Sequence, residues 1–398
     1  MPQRVDEEHG LNAPDGVMPD TLLRLAAKQG QIWSDDGGIP EANFQPASLD
    51  LRLGKLAFPI QCSFLPHKTT VADRLKDVAI ARPVDISSGA VLFAGQPYLI
   101  PLLERLQLPK GVHGRANPKS TTGRLDIFTR LVTDFGHLFD DVSDGYSGNL
   151  YLEVVPQTFS IVVRSGLALN QLRLVAGSGV ICSDAELAEE HAKTRLWYPD
   201  PGLMTPADIT IEEGVYLSVD LKGSDDGVVA FKARKNRAPI DLTKIAHYYF
   251  EEFWETVRPD PRQRLILDED EFYILVSAER VRVAPWLSAE MVAYDPSSGE
   301  LRTHYAGFFD PGFGYGRKGE VEGSRAVLEV RARDVPFMLE HGQRICRLEF
   351  QRMSRPPQRV YGARIGSSYQ EQGLTLGKQF TQKQTAARPF DDRDWATG

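Results

Sequence analysis

The strongest constraint on this chain is that it echoes itself. Leu103-Glu104-Arg105-Leu106 returns as Ala278-Glu279-Arg280-Val281, and Tyr151-Leu152-Glu153-Val154 returns as Val327-Leu328-Glu329-Val330. Earlier in each half, Ser48-Leu49-Asp50-Leu51 returns as Ser218-Val219-Asp220-Leu221. The separations are 175, 176 and 170 positions, and the order is kept. Ordered echoes at nearly one spacing mark a duplicated unit. The 398 residues hold two copies, each within the usual range of about 100–200 residues and large enough to bury a core.

Within each copy, short apolar runs such as AVLFAGQPYLIPL (90–102) and EFYILVSAERVRV (271–283) alternate with Pro, Gly, Asp and Asn clusters. That texture predicts a mainly β fold with many turns and few helices. Helices are expected at Asp20–Gln29, with Asp20 as cap, and at Ser183–Thr194, where Ser183 precedes an acidic first turn. The expected layout is a flexible start (1–15), a first domain (16–182), a connector with helix (183–213), a second domain (214–379) and a loosely held tail (380–398). Cys62, Cys182 and Cys346 are too scattered for a disulfide framework or a CxxC half-site, and are read as buried thiols in a reducing cytoplasm. Forty-six basic against fifty-four acidic residues argue against nucleic acid as partner. No apolar run reaches the roughly 18 residues of a membrane span, and the polar, acidic start has no signal-peptide core.

Two stretches carry chemistry. Gly114-Arg115-Ala116-Asn117-Pro118-Lys119-Ser120-Thr121-Thr122-Gly123-Arg124 gathers cations, hydroxyls and glycines, without P-loop spacing. It is either a solvated turn or an anion site. In Gly148–Val155, period-two alternation puts Leu150, Leu152 and Val154 on one face and Tyr151, Glu153 and Val155 on the other, with Glu329 at the matching place in the second copy. A carboxylate in such a strand is either on a solvated face or held in a pocket as a general base.

Taken in order, these elements resemble the dCTP deaminases of the dUTPase-like superfamily. Four features carry the resemblance: the Ser-x-Asp-Leu strand, the basic hydroxyl loop, an Ala-x-x-x-Asp-Pro-Gly hairpin followed by a strand with Glu, and a Tyr-Gln-x-Gln-Gly tail. The resemblance covers the chain twice and implies two tandem dUTPase-like β-clip domains, each a distorted jelly-roll or barrel. The first copy keeps the loop, with Lys119 for the leading Arg and then Ser120, Thr121 and Arg124, but has Ser143-Asp144-Gly145 at the hairpin. The second keeps Ala306, Asp310-Pro311-Gly312 and Glu329, but has Pro296-Ser297 at the loop. Only the second carries the tail, Tyr361 and Ser368-Tyr369-Gln370-Glu371-Gln372-Gly373, with Ser368 in the place of the family lysine and Arg364 as a substitute for it.

Family sites lie between subunits, so the resemblance implies one working site that pairs Glu329, Ala306 and Asp310 with Lys119, Ser120 and Arg124. The reciprocal site, Glu153 with Pro296 and Ser297, would be a relic. Glu329 would be the general base, with Ser120 and Arg124 fixing the water; Ala306 would read the cytosine edge and Asp310 the sugar 3′-hydroxyl. Lys119, Tyr361 and Gln372 would hold the triphosphate, with Thr121 a further substrate contact and Mg²⁺ carried by the nucleotide. No histidine begins H-x-E and no C-x-x-C exists, so the zinc route to deamination is not expected. The implied partners are dCTP, dTTP as effector, and further copies of the chain in a homo-oligomer. The alternatives are a dUTPase, a bifunctional enzyme making dUMP, and a non-catalytic nucleotide sensor.

Overall fold

The computed structural model describes residues 14–199, 211–223, 226–293, 301–303, 307–316, 319–333, 335–362 and 373–381. They form a mainly β structure with a few short helices. In the first half, Tyr98–Gln107, Ser147–Pro156 and Ile127–Thr133 run side by side and antiparallel in a six-stranded sheet. A second sheet joins Leu49–Arg52, Ala168–Ala176, Val112–Pro118 and Asp141–Val142. The second half repeats both. Phe272–Val281, Ser324–Ala332 and Leu301–Thr303 form one trio; Val215–Ser218, Arg344–Arg352, Leu287–Ala293 and Phe308–Phe309 form the other sheet.

The registers match as well as the order. Glu153 pairs with Leu99 as Glu329 pairs with Ile274, and Arg105 pairs with Asn149 as Arg280 pairs with Arg325. Two of the three sequence echoes therefore fall on equivalent positions. The third does not. Leu49 pairs with Leu172 as Val215 pairs with Leu348, which makes Arg52, not Ser48, the counterpart of Ser218. Their backbone N–H groups make the same bond, to Glu104 at 2.6 Å and to Glu279 at 2.8 Å. A slip of four positions keeps every side chain on its own face of a strand, so apolar alternation alone cannot expose the error.

Each half has a core of its own, one around Leu51, Ile100, Leu152 and Leu172, the other around Leu217, Leu275, Leu328 and Leu348. The halves also interlock. Ile240–Asp241 pairs in parallel with Ile161–Val162, and Phe253, Trp254, Phe272 and Phe380 sit in the first half's core beside Phe159. Phe380–Thr381 is a strand paired with Tyr248–Tyr249, so the stretch expected to be a loose tail starts as structure.

Opposite charges face each other where the halves meet. Arg115 and Arg173 are direct cross-strand neighbours, and the equivalent pair in the second half is Glu290 and Glu349. Like charges side by side on a sheet are unfavourable. Here the two pairs neutralise each other, Arg173 acting on Glu290 and Arg115 on Glu349, while Asn117 donates to Glu290 at 2.9 Å. A second seam contact is Arg331, paired with the fully buried Asp126 and donating to Thr158 at 3.0 Å. Removing one member of a buried pair strands the other charge and costs about 3–5 kcal/mol. Arg331→Ala is therefore expected to lower the urea midpoint clearly, whereas Arg74→Ala, which breaks an exposed pair with Asp77, leaves it nearly unmoved.

Two local expectations are corrected, the Asp20 cap and the burial of Cys62, and the Ser183 helix start holds. The first helix is Asp20–Lys28 with Pro19 as N-cap and no side-chain cap; Asp20 instead accepts from Arg24 at 2.6 Å and from the N–H of Gln358 at 2.9 Å. Ser183 caps Asp184–Thr194 through a reciprocal bond with Glu186. Cys62 is exposed, unlike Cys182 and Cys346. A helix at Val71–Val78, capped by Thr70, had no expectation attached.

Candidate active site

One cavity lies at the seam. Lys119, Ser120, Gly123 and Arg124 from the first half line it, with Phe308, Phe309, Asp310, Phe313, Arg325, Glu329 and Tyr361 from the second. Glu329 reaches it by strand alternation: Leu328 and Val330 turn into the core with no exposure, and Glu329 projects from the opposite face at 7%. Burial pushes its carboxyl up to about 7, against the pull of Arg124. Arg124 is itself buried and donates to the carbonyl of Thr375 at 3.3 Å, which brings Thr375 against it. Ser120 opens a single helical turn closed by the N–H of Gly123 on the carbonyl of Lys119 at 3.0 Å.

Asp310 comes from a hairpin that only glycine can complete. Gly312 has φ +97°, and a Cβ there would stand 2.8 Å from Cβ of Val360 and 2.9 Å from N of Tyr361. That closeness seats Tyr361 against Phe313, centroids 5.5 Å apart, and Phe313 against Phe309 at 4.9 Å. The result is an aromatic wall facing the Ser120 turn. Burial lifts the Asp310 carboxyl to about 6, with Arg173 opposing the rise.

Lys119 pairs with the buried Asp50 and lines both this cavity and a cleft of about 250 Å³ on the other side of the turn. Thr121 lines that cleft, away from Glu329, together with Lys378. Burial and, after it, the Lys119 ammonium push Lys378 below the usual lysine range.

Glu153 occupies the equivalent strand position, but the space beside it is filled. Ser63 donates to its carboxylate at 2.6 Å, and helix Val71–Val78 packs with Ile60, Phe64, Phe139 and Tyr151 over that face of the sheet. Burial raises the Glu153 carboxyl too. Of the remaining expected site residues, Ala306, Gln372, Ser297, Pro296, Ser368 and Arg364 lie outside the described residues.

Several groups carried no motif signal: Phe308, Phe309, Phe313 and Arg325 in the cavity, Lys378 in the second cleft, and Arg173 beside Asp310. The Phe308-Phe309 pair directly before Asp310-Pro311-Gly312 was a usable cue to an apolar wall. Among the described residues no helix is long and apolar enough to cross a membrane.

The fold and cavity define a duplicated β protein with a cavity between its halves, a buried carboxyl with raised proton affinity on one wall and a hydroxyl with a guanidinium on the other. Comparison with known proteins narrows this. Models of the 2′-deoxycytidine 5′-triphosphate deaminase N-terminal and C-terminal domains match residues 14–178 and 183–380. A crystal structure of 2′-deoxycytidine 5′-triphosphate deaminase from Agrobacterium tumefaciens is 43% identical, covers 87% of this chain and 100% of its own, and superposes with a TM-score of 0.80. Relatives named dCTP deaminase, dUMP-forming, are 27% identical over 157 residues in Mycobacterium tuberculosis and 28% over 161 in Corynebacterium efficiens. These matches span 39% and 40% of this chain and 78% of each relative. The chain belongs to the dCTP deaminase family.

Proposed function

We propose that the chain is a hydrolase that converts dCTP to dUTP and ammonia in the seam cavity, each half being a dUTPase-like unit. The observation that carries this reading is Glu329: a carboxyl buried against Arg124 with its affinity for protons raised to near neutrality, suited to take and return protons at working pH. Glu329 takes a proton from water as the hydroxide adds to C4 of cytosine, and passes that proton to N3. It then moves the proton of the new C4 hydroxyl to the amino group. The C4–N bond breaks, ammonia leaves, and C4 becomes a carbonyl. Ser120 and Arg124 hold the attacking water and stabilise charge as it develops on oxygen. Asp310 accepts from the sugar 3′-hydroxyl. Lys119, Thr121, Tyr361 and Lys378 take the phosphates, Lys378 supplying the cation that Ser368 does not, with Mg²⁺ arriving on the nucleotide.

The names of the 27–28% identical relatives favour a second reading, in which the same site goes on to release diphosphate and dUMP. Incubation with dCTP separates the two. Ammonia with dUTP supports the first, ammonia with dUMP and diphosphate the second, and binding without turnover refutes both.

The base also sets a pH dependence. Glu329 works ionised and is protonated below about 7, so kcat/KM is expected to fall about tenfold per pH unit on the acid side and level off above 7. A profile that is flat between pH 5.5 and 8 rules Glu329 out as the base.

A further inference from the structure

We propose that Arg173, a first-half arginine outside every motif above, is the positioning residue that keeps Asp310 ready to receive the nucleotide's 3′-hydroxyl. The proposal rests on the reading of Asp310 just given. Arg173 is 1% exposed, and its Nη2 stands 3.9 Å from Oδ1 of Asp310. It is held there from three sides. Nη1 donates to the carbonyl of Ala289 and to Oε1 of Gln351, both at 3.2 Å, and the guanidinium stacks 3.9 Å from the centroid of Phe308, two residues before Asp310.

The separation matters. At hydrogen-bond distance a guanidinium would take up the carboxylate's lone pairs. At 3.9 Å it supplies charge while Oδ1 keeps no hydrogen-bond partner, so the acceptor capacity stays available to substrate. The other charges acting on Asp310 are Asp50 and Lys119, which are paired with each other, and Glu290 acts on Arg173 from across the seam. Arg173 is thus the cation left to balance the Asp310 carboxylate, which would otherwise sit protonated, donating a hydrogen bond where it must accept one. The second half has Glu349 at the equivalent position, and the first-half counterpart of Asp310 is Ser143. The other side thus has neither the cation nor the carboxylate of this pair.

The test compares dCTP with 2′,3′-dideoxy-CTP, which lacks the 3′-hydroxyl. The native protein is expected to prefer dCTP by about tenfold or more in kcat/KM, the worth of a hydrogen bond to a charged group. Arg173→Gln is expected to shrink the preference to about twofold through a higher KM for dCTP alone, and to regain it as pH rises and Asp310 ionises. Arg173→Lys keeps the charge and the preference. Equal losses on both substrates, unmoved by pH, overturn the proposal by making Arg173 structural. If the glutamine variant does not fold, loss of the preference in a folded Arg173→Lys protein overturns it equally. Should the native protein show no preference, the reading of Asp310 fails first and the proposal with it, while turnover of dCTP itself still stands.

Discussion

Glu329→Gln is expected to cut ammonia release from dCTP by about 100- to 10,000-fold, the usual worth of a positioned acid–base group, while Glu153→Gln leaves most of it. The two residues occupy one strand position in the two halves. They differ in what stands opposite: Glu329 borders an open cavity with Arg124, whereas Glu153 is bonded to Ser63 beneath a plug of apolar side chains. A second readout separates loss of chemistry from loss of structure. Burial raises the Glu329 carboxyl in the folded state to about 7, so the native fold binds that proton more tightly than the unfolded chain. The cost of ionising it is absent below the reference value of 4.5, grows as pH rises, and is complete above about 7, where it reaches roughly 3 kcal/mol. The glutamine side chain never ionises. The Glu329→Gln protein is therefore expected to melt higher than the native one at pH 8 and about equally at pH 4.5, inactive yet more stable. Equal loss of activity in the two variants would refute a single working site.

Arg124→Ala is expected to be nearly as damaging, about 100-fold or more, although Arg124 lies in the other half of the chain. Two losses add. The water loses a donor, and Glu329 loses the guanidinium that pulls its proton affinity down. The acid limb of the pH profile is accordingly expected to move above 7, so part of the lost rate returns at pH 9. Arg124→Lys keeps a charge without the planar fork and restores the pH position more fully than the rate. Full turnover by the alanine variant would mean that Arg124 takes no part in the reaction.

Much of this arrangement was legible in the sequence, for reasons of differing strength. Period-two alternation around Glu153 and Glu329 fixes which way both carboxyls point, because a strand offers a side chain only two directions. It does not say what covers that face, and Glu153 could have been solvated as readily as sealed. The Gly312 turn was legible because backbone geometry at positive φ admits few residues. Lys119, Ser120 and Arg124 stood out as a cluster, but that Thr121 faces the second cleft and not Glu329 depends on the phase of one helical turn. Arg173 and Lys378 gave no signal at all, since each acts through a partner about 137 and 259 positions away, at Asp310 and Lys119. The misplaced echo of Ser48 shows the reverse hazard, a likeness of letters with no likeness of place.

Because both walls of the cavity are delivered by a single polypeptide, bringing them together is an internal event whose odds are set by tether length and not by how many molecules share the solution. Dilution that would scatter separately made partners leaves this meeting untouched.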